Sequence, residues 1–352
     1  MNIFINISHP AHVHFFKYVI KKLQNKGHNV KIGNRDKEFT NQLLEYYNLS
    51  YITLSKKGNG AFGLLRELIH QQFGINDLIK ENKFDLMLQI GGIFNAPIGR
   101  IRKIPTIAIS DTENDKIGNK IGFGLSKYVL SPDCWNTEFG GHWKKQIKYP
   151  GYHELAYLSP KYYKSNIKPK NKFLLRFVGW GAGHDIGEKY LSDQQKIHLV
   201  HLLLNHGEVY ISSENELPDE LNKYAYSFHP AEIHDFLRDC KMIIGESATM
   251  ASEASCLGIP AIFISNTGRG YTTEQDNKYN LIKHYNLQQW DNIISTITEW
   301  LSNDNLQEWQ EKRYQMLKDK IEVTDWLVDL IEGFPESIEQ ARNGNFKQYY
   351  IN

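Results

Sequence analysis

A chain of 352 residues is longer than one hydrophobic core usually serves, so two domains are expected, and 41% apolar residues suffice to build both. Lys and Arg (41) nearly cancel Asp and Glu (40), a net charge of +1, which removes the electrostatic basis of a dedicated nucleic-acid binder. Cys134, Cys240 and Cys256 are odd in number, far apart and outside any C-x-x-C pair, which fits a reducing compartment and excludes a disulfide framework.

The predicted elements alternate. A strand over residues 3–7 leads into a helix over about 13–25, which Gly27-His28 stops before a strand at 30–32. A strand at 51–54, a helix over 64–81 and strands at 85–90, 105–110 and 128–132 continue the βαβ rhythm. These strands are continuously apolar, which implies a parallel sheet covered on both faces. Residues 148–172, rich in Pro, Gly and Lys, read as the connection between domains. A second series follows: strands at 173–178, 208–213, 242–245 and 260–265, with helices over 192–205, over 231–239 and from Thr249. The tail from about 293 is helical by pattern, with Trp300, Trp309 and Trp326 as anchors. The expected fold is α/β, two tandem Rossmann-like doubly wound domains with an interdomain cleft. The N-terminal domain takes 1–155, the C-terminal domain 165–335, and 336–352 packs back on the first. In such sheets ligands sit at the carboxyl ends of the strands.

The stretch "MIIGESATMASEASCLGIPAIFIS" (242–265) carries the clearest chemistry. A buried strand ends at Gly245 and a helix starts near Thr249, so free backbone N–H groups and a positive dipole end suit a phosphate or diphosphate. Ser247 and Thr249 add hydroxyls, and Glu253, on the same helix face one turn deeper, suits the hydroxyls of a ribose. The competing reading is that Ser247 or Thr249 caps the helix and Glu253 is a solvated acid.

Other groups point to the same strand ends. "LLRFVGWGAGHDIG" (174–187) carries Arg176, Trp180, His184 and Asp185, suited to a diphosphate or a sugar ring. Arg176 lies in an apolar strand and needs an anionic partner, by a ligand or by a structural salt bridge. "IAISDTEND" (107–115) places Asp111 and Glu113 just past a strand, as a general base or transition-state stabiliser, or else as a turn with Asp111 capping the next segment. In "GRGYTTEQDNKYN" (268–280), Thr272 and Glu274 suit sugar hydroxyls or a helix cap. "SHPAHVH" brings His9, His12 and His14 together. The chain is turning from strand to helix there, so His12 and His14 diverge, no third ligand is near, and no metal is expected. His9 precedes Pro10 and is extended. His12, where the first βα loop meets its helix, is the preferred acceptor-binding or base residue, with His9 and His14 beside it.

The segment "GESATMASEASCLGIPAI" in the second half resembles the donor site of GT-B glycosyltransferases, and its Ser247-to-Glu253 spacing is similar to that of the non-hydrolysing UDP-N-acetylglucosamine 2-epimerases. More closely, the chain resembles a poorly characterised prokaryotic family of that superfamily, through "PAHVHFFKYVIKKLQNKGH", "DTEND", "GYHELAYL" and "SATMASEASCLGIPA". The resemblance implies a nucleoside-diphosphate sugar, most readily UDP-linked, bound without a metal. Ser247, Ala248 and Thr249 would meet the diphosphate, Glu253 the ribose, and the backbone around His229 the base. A catalytic carboxylate of the epimerases would fall at Glu113 or Asp111. The His-Val step in "PAHVHFF" resembles the "GHV" loop of lipid-intermediate glycosyltransferases.

The expected function is therefore metal-independent transfer from a UDP-sugar, as co-substrate with no other cofactor, to a glycan or lipid-linked acceptor in surface polysaccharide or glycoconjugate assembly. The rivals are a nucleotide-sugar 2-epimerase and a non-catalytic nucleotide-sugar-binding protein. This chain has "SHPAHVH" and "GWGAGHDIG" where the epimerases carry Gly-Thr-Arg-Pro-Glu and His-Arg-x-Glu-Asn loops. No window approaches the roughly 20 apolar residues of a membrane span. The expected location is cytoplasmic, with "AFGLLRELIHQQFGINDLIK" and "HFFKYVIKKL" as stretches for peripheral contact at the inner face of the membrane or, as ordinary amphipathic helices, for the core.

Overall fold

The structure, a computed structural model, describes residues 1–58, 60–136, 145–164, 170–179, 190–303 and 306–351. In chain order the first series is β1 (Asn2–Ile7), α1 (Pro10–Asn25), β2 (Asn29–Asp36), α2 (Thr40–Tyr46), β3 (Ile52–Lys56), α3 (Gly60–Glu81), β4 (Leu86–Ile90), α4 (Asn95–Arg102), β5 (Thr106–Ile109), α5 (Lys116–Leu125), β6 (Tyr128–Pro132), β7 (Gln146–Tyr149) and α6 (Leu155–Leu158). The second is β8 (Lys172–Phe177), α7 (Asp193–Leu204), β9 (Glu208–Ser213), α8 (Ile233–Arg238), β10 (Met242–Gly245), α9 (Ala248–Leu257), β11 (Ala261–Ile264), α10 (Gly270–Asn277), β12 (Ile282–Tyr285), α11 (Trp290–Ser302) and α12 (Leu306–Lys318). Helices α13 (Val323–Glu332) and α14 (Glu336–Arg342) follow.

The chain divides into two compact units, one of Met1–Tyr157 with Ile321–Tyr350, the other of Leu158–Lys320 with Ile351–Asn352. In the first, seven parallel strands run in the order β3-β2-β1-β4-β5-β6-β7. Strand β1 lies inside the sheet, and Ile3, Phe4, Ile5 and Ile7 are fully buried, as a strand covered on both faces requires. The order reverses between β1 and β4. Right-handed crossovers therefore send the helices on either side of that point to opposite faces: α1 packs with α2 and α13, and α3 with α4. The second unit has five parallel strands in the order β12-β11-β10-β8-β9, reversing between β8 and β10. Carboxyl strand ends at such a switch point are where open α/β sheets bind ligands.

Three differences from the sequence reading have physical causes. Helix α1 begins at Pro10 rather than near 13, because extended His9 caps it and Pro10 has no N–H to lose at the first helical position. Strands β7 (QIKY) and β12 (IKHY) are edge strands whose charged and polar residues dilute the apolar signal. The chain returns to the first unit at Ile321, whereas the sequence reading carried the second domain to 335. A run of helical periodicity does not say which sheet it covers. Here Trp326, Leu327, Leu330 and Ile331 of α13 are buried, and α13 packs on α1, with Lys22 paired to Asp325 and Lys26 to Glu332.

Candidate functional site

In the first unit the chain leaves β1 and enters α1 through Ser8 and His9. His9 is extended (φ −155°, ψ 151°) and its Nδ1 accepts the N–H of Ala11 at 3.2 Å, so it serves as the helix cap. His12, in the first turn, takes the N–H of Ser8 on its own Nδ1 at 3.3 Å. That bond requires an unprotonated Nδ1, which puts the proton of the neutral ring on Nε2. Burial, reinforced by His9, His153, Lys37 and Arg35, holds the His12 imidazole well below its ordinary 6.5, so it stays neutral. His14 is buried against Tyr157 and Tyr47, with ring centroids 5.4 and 5.8 Å away.

Beyond β5, Asp111 and Glu113 are put to different uses. Glu113 is buried, and its Oε1 accepts the N–H of Asn136 at 2.9 Å. Asn119 braces the same loop by donating to the Thr112 carbonyl at 2.8 Å. The cap of α5 is Asp115, which accepts from Gly118 N at 2.9 Å, so Asp111 is not spent on the following helix. Instead Asp111 Oδ2 lies 3.1 Å from Nδ1 of His153, and its Oδ1 accepts from the Thr112 hydroxyl at 3.0 Å. His153 is buried, with Phe15 against its ring, and among the described residues its Nε2 has no hydrogen-bond partner. With Nδ1–H donated to the carboxylate, Nε2 presents a lone pair. Burial lowers the His153 pKa and Asp111 opposes that shift only in part, so this ring is neutral as well. Sequence reasoning did not single out His153, although the stretch "GYHELAYL" holds it. No short motif ties Asp111 to a residue beyond two further strands.

In the second unit β10 meets β8 so closely that a Cβ at Gly245 would stand 2.2 Å from the Arg176 carbonyl oxygen, which explains the glycine. Ser247 caps α9 by accepting from Met250 N at 3.3 Å, and Ala248 and Thr249 line the partly exposed first turn. Glu253 follows on the same helix, buried, with Oε1 2.9 Å from Nε2 of His234, which is buried too. It is therefore not the solvated acid that the alternative reading supposed. Glu246, between strand and cap, accepts the N–H groups of Val178 at 3.1 Å and Leu191 at 2.7 Å, and burial raises its carboxyl pKa. It ties both described ends of the loop after β8 to this helix start. Neither His234 nor Glu246 was assigned a role from sequence.

The remaining candidates are held by local partners. Arg176 has its anion in Glu214, paired with Nη2, while Nη1 donates to Ser212 at 3.0 Å. Trp180, His184 and Asp185 lie outside the described residues. His229 caps a short 3₁₀ turn, its Nδ1 accepting from Ala231 N at 3.2 Å. Thr272 is buried at the start of α10, accepting from Arg269 N at 2.9 Å and donating to the Arg269 carbonyl at 3.0 Å. Glu274 takes the buried ammonium of Lys320 at 2.7 Å. The structure thus brings together His9, His12, Asp111 and His153 in one unit, and Ser247, Ala248, Thr249, Glu253 and His234 in the other.

Residues 1–175 match the family model DUF354, described as a protein of unknown function. An uncharacterised protein of Methanocaldococcus jannaschii is 23% identical over 287 residues, covering 74% of this chain and 81% of its own. Among solved structures, UDP-N-acetylglucosamine 2-epimerase from Rickettsia bellii matches with a TM-score of 0.67 at 14% identity, over 97% of this chain and 98% of that one. The Neisseria meningitidis epimerase, solved bound to UDP-GlcNAc, matches with a TM-score of 0.62 at 14% identity, over 97% and 100%. MurG from Acinetobacter baumannii matches with a TM-score of 0.53 at 16% identity, over 94% and 99%. The fold is GT-B-like, shared by glycosyltransferases and 2-epimerases.

Proposed function

We propose that this DUF354-family chain is a glycosyltransferase that moves a sugar from a UDP-linked donor to a hydroxyl of a glycan or lipid-linked acceptor, in surface polysaccharide or glycoconjugate assembly. The observation that carries the reading is His153. Its Nδ1 is engaged by Asp111, its ring is neutral, and among the described residues its Nε2 has no hydrogen-bond partner, which leaves that lone pair available to act as a general base. In transfer, Nε2 takes the proton of the acceptor hydroxyl as the oxygen bonds to the anomeric carbon. The bond from that carbon to the diphosphate breaks with its electron pair, and UDP leaves. Asp111 holds the ring and stabilises the imidazolium that forms. His12, with its proton on Nε2, donates to a substrate oxygen, the acceptor-binding side of the acceptor-binding or base role expected from sequence.

On the second unit, the first turn of α9 after Ser247 meets the diphosphate with backbone N–H groups and its positive dipole end. Glu253, oriented by His234, accepts from the ribose hydroxyls.

Incubation with UDP-sugars, with and without candidate acceptors, tests the reading. UDP release that depends on an acceptor supports transfer. Epimer formation without an acceptor would replace it with 2-epimerisation, and binding without turnover would leave a nucleotide-sugar-binding protein.

A further inference from the structure

Helix α3 carries a row of large apolar side chains on its exposed face. At about 100° per residue, Phe62, Leu65, Ile69 and Phe73 fall within an arc of about 80°. That arc is the outer face: the four residues are 81%, 55%, 49% and 67% exposed. The opposite arc, facing the sheet, includes polar Glu67 and Gln71 ahead of Ile75 and Leu78. Glu67 is buried against Arg35 and Ser55, and Gln71 donates to Ser55 and accepts from Asn6. The first half of the helix therefore turns polar groups inward and a row of large apolar side chains outward, at a cost that solvation alone does not repay.

The charges beside the N-terminal part of this row are basic. Arg66 is exposed next to it, and Arg102 of α4 reaches across to Asn76, its Nε 2.8 Å from Oδ1, just past Phe73 on the same side. Helix α4 and its cap add exposed Arg100 and Lys103 with no acid between Asn95 and Lys103, and Ile101 is 72% exposed. Of the acids on α3, Glu67 is turned inward on Arg35, Asp77 pairs with Lys80 at 2.8 Å, and Glu81 lies at the far end. A second copy seated on this face by a two-fold axis would bring like charges together. Among the described residues no helix is long and apolar enough to cross a membrane. An apolar row with a basic flank matches the boundary of an anionic bilayer.

We propose that this face of the first unit docks on an anionic phospholipid surface, with Phe62, Leu65, Ile69 and Phe73 entering the headgroup boundary and Arg66 and Arg102 meeting lipid phosphates. The contact stands apart from the proposed transfer and is read without substrate. The full chain is sedimented with vesicles of phosphatidylcholine alone and of phosphatidylcholine with phosphatidylglycerol. The wild type is expected to pellet with the anionic vesicles, less so at high salt. The double variants Phe62→Ser/Phe73→Ser and Arg66→Gln/Arg102→Gln are expected to bind about tenfold more weakly or worse. Unchanged thermal unfolding and UDP affinity in both variants keep loss of lipid binding distinct from misfolding and from failure of the donor-site assignment. A wild type that stays in solution with both vesicle types, or variants that pellet as well as it does, would overturn the proposal. So would sedimentation velocity showing a dimer that the Phe62→Ser/Phe73→Ser change dissolves, which would give the face to a second copy.

Discussion

Asp111 Oδ2 lies 3.1 Å from His153 Nδ1, joining the carboxyl end of β5 to the segment after β7. With His153 as base, His153→Gln should lower turnover by about 10²- to 10⁴-fold and leave UDP affinity within error. Asp111→Asn keeps a polar side chain of the same shape but frees the imidazole to take the other tautomer, so it should lower kcat with little change in donor KM. Equal losses of UDP binding in both variants would instead mark the pair as structural.

The same ring sets a pH dependence. Burial depresses the His153 pKa, so the neutral base persists below the ordinary imidazole value of 6.5. The acid limb of kcat/KM should therefore lie below about pH 6.5, and Asp111→Asn, which removes the group that raises the pKa, should move it further down. Stability follows the same sign. His12 and His153 both have folded pKa values under their unfolded one, so the stabilising neutral state is fully present above about 6.5 and is lost as pH falls toward the folded values. Thermal unfolding midpoints should fall as pH drops below about 6.5, and the fall should be shallower in His153→Gln.

Glu253 and His234 form the corresponding pair in the second unit. Glu253→Gln retains an oxygen for the His234 contact, so the unfolding midpoint should change little while UDP binding weakens about tenfold, the loss of one charge-assisted bond to the ribose. Glu253→Ala removes a hydrogen-bond partner of the buried His234 imidazole and should cost about 1–3 kcal/mol of stability as well. Calorimetric titration with UDP, set beside thermal unfolding of the same samples, separates the two effects. Unchanged affinity in both variants would remove Glu253 from the donor site.

Glu246 makes a separate prediction at the base of the same helix. Its carboxylate accepts two backbone N–H groups on either side of the loop after β8. Glu246→Ala leaves both without a side-chain acceptor and should cost roughly 2 kcal/mol, at about 1 kcal/mol per bond. Amide hydrogen exchange at Val178 and Leu191 should become faster, a readout that a change confined to the nucleotide site would not produce.

How much of this was legible in the sequence depends on the distance over which each signal acts. The strand-to-helix turn at Gly245 and Ser247 is local: apolar run, small residues and cap lie within a few positions, and the observed cap is Ser247. The alternation of apolar strands and amphipathic helices likewise reports a covered parallel sheet without any tertiary information. Arg176 shows where locality stops. Its need for an anion was readable from the strand, but the identity of that anion, Glu214, depends on β8 and β9 being neighbours. His153 and His234 were harder still, since each is defined by a partner, Asp111 or Glu253, whose proximity the chain order does not encode.

The placement of α13 gives the sharpest test of the unit boundary. Trp326 is buried, with its ring 5.2 Å from that of Tyr149 on β7 and 5.8 Å from that of Phe346, and α13 packs against α1. The helix thus completes the core of the first unit, although the second unit intervenes in the sequence. Trp326→Ala should cost about 3–5 kcal/mol, the range for emptying a large aromatic site, and should act on the first unit. Amide hydrogen exchange can locate the effect: protection should fall in β1, α1 and β7, while β8, β10 and β11 keep theirs. Loss of protection in the second sheet first would mean that residues 321–350 stabilise the other unit instead.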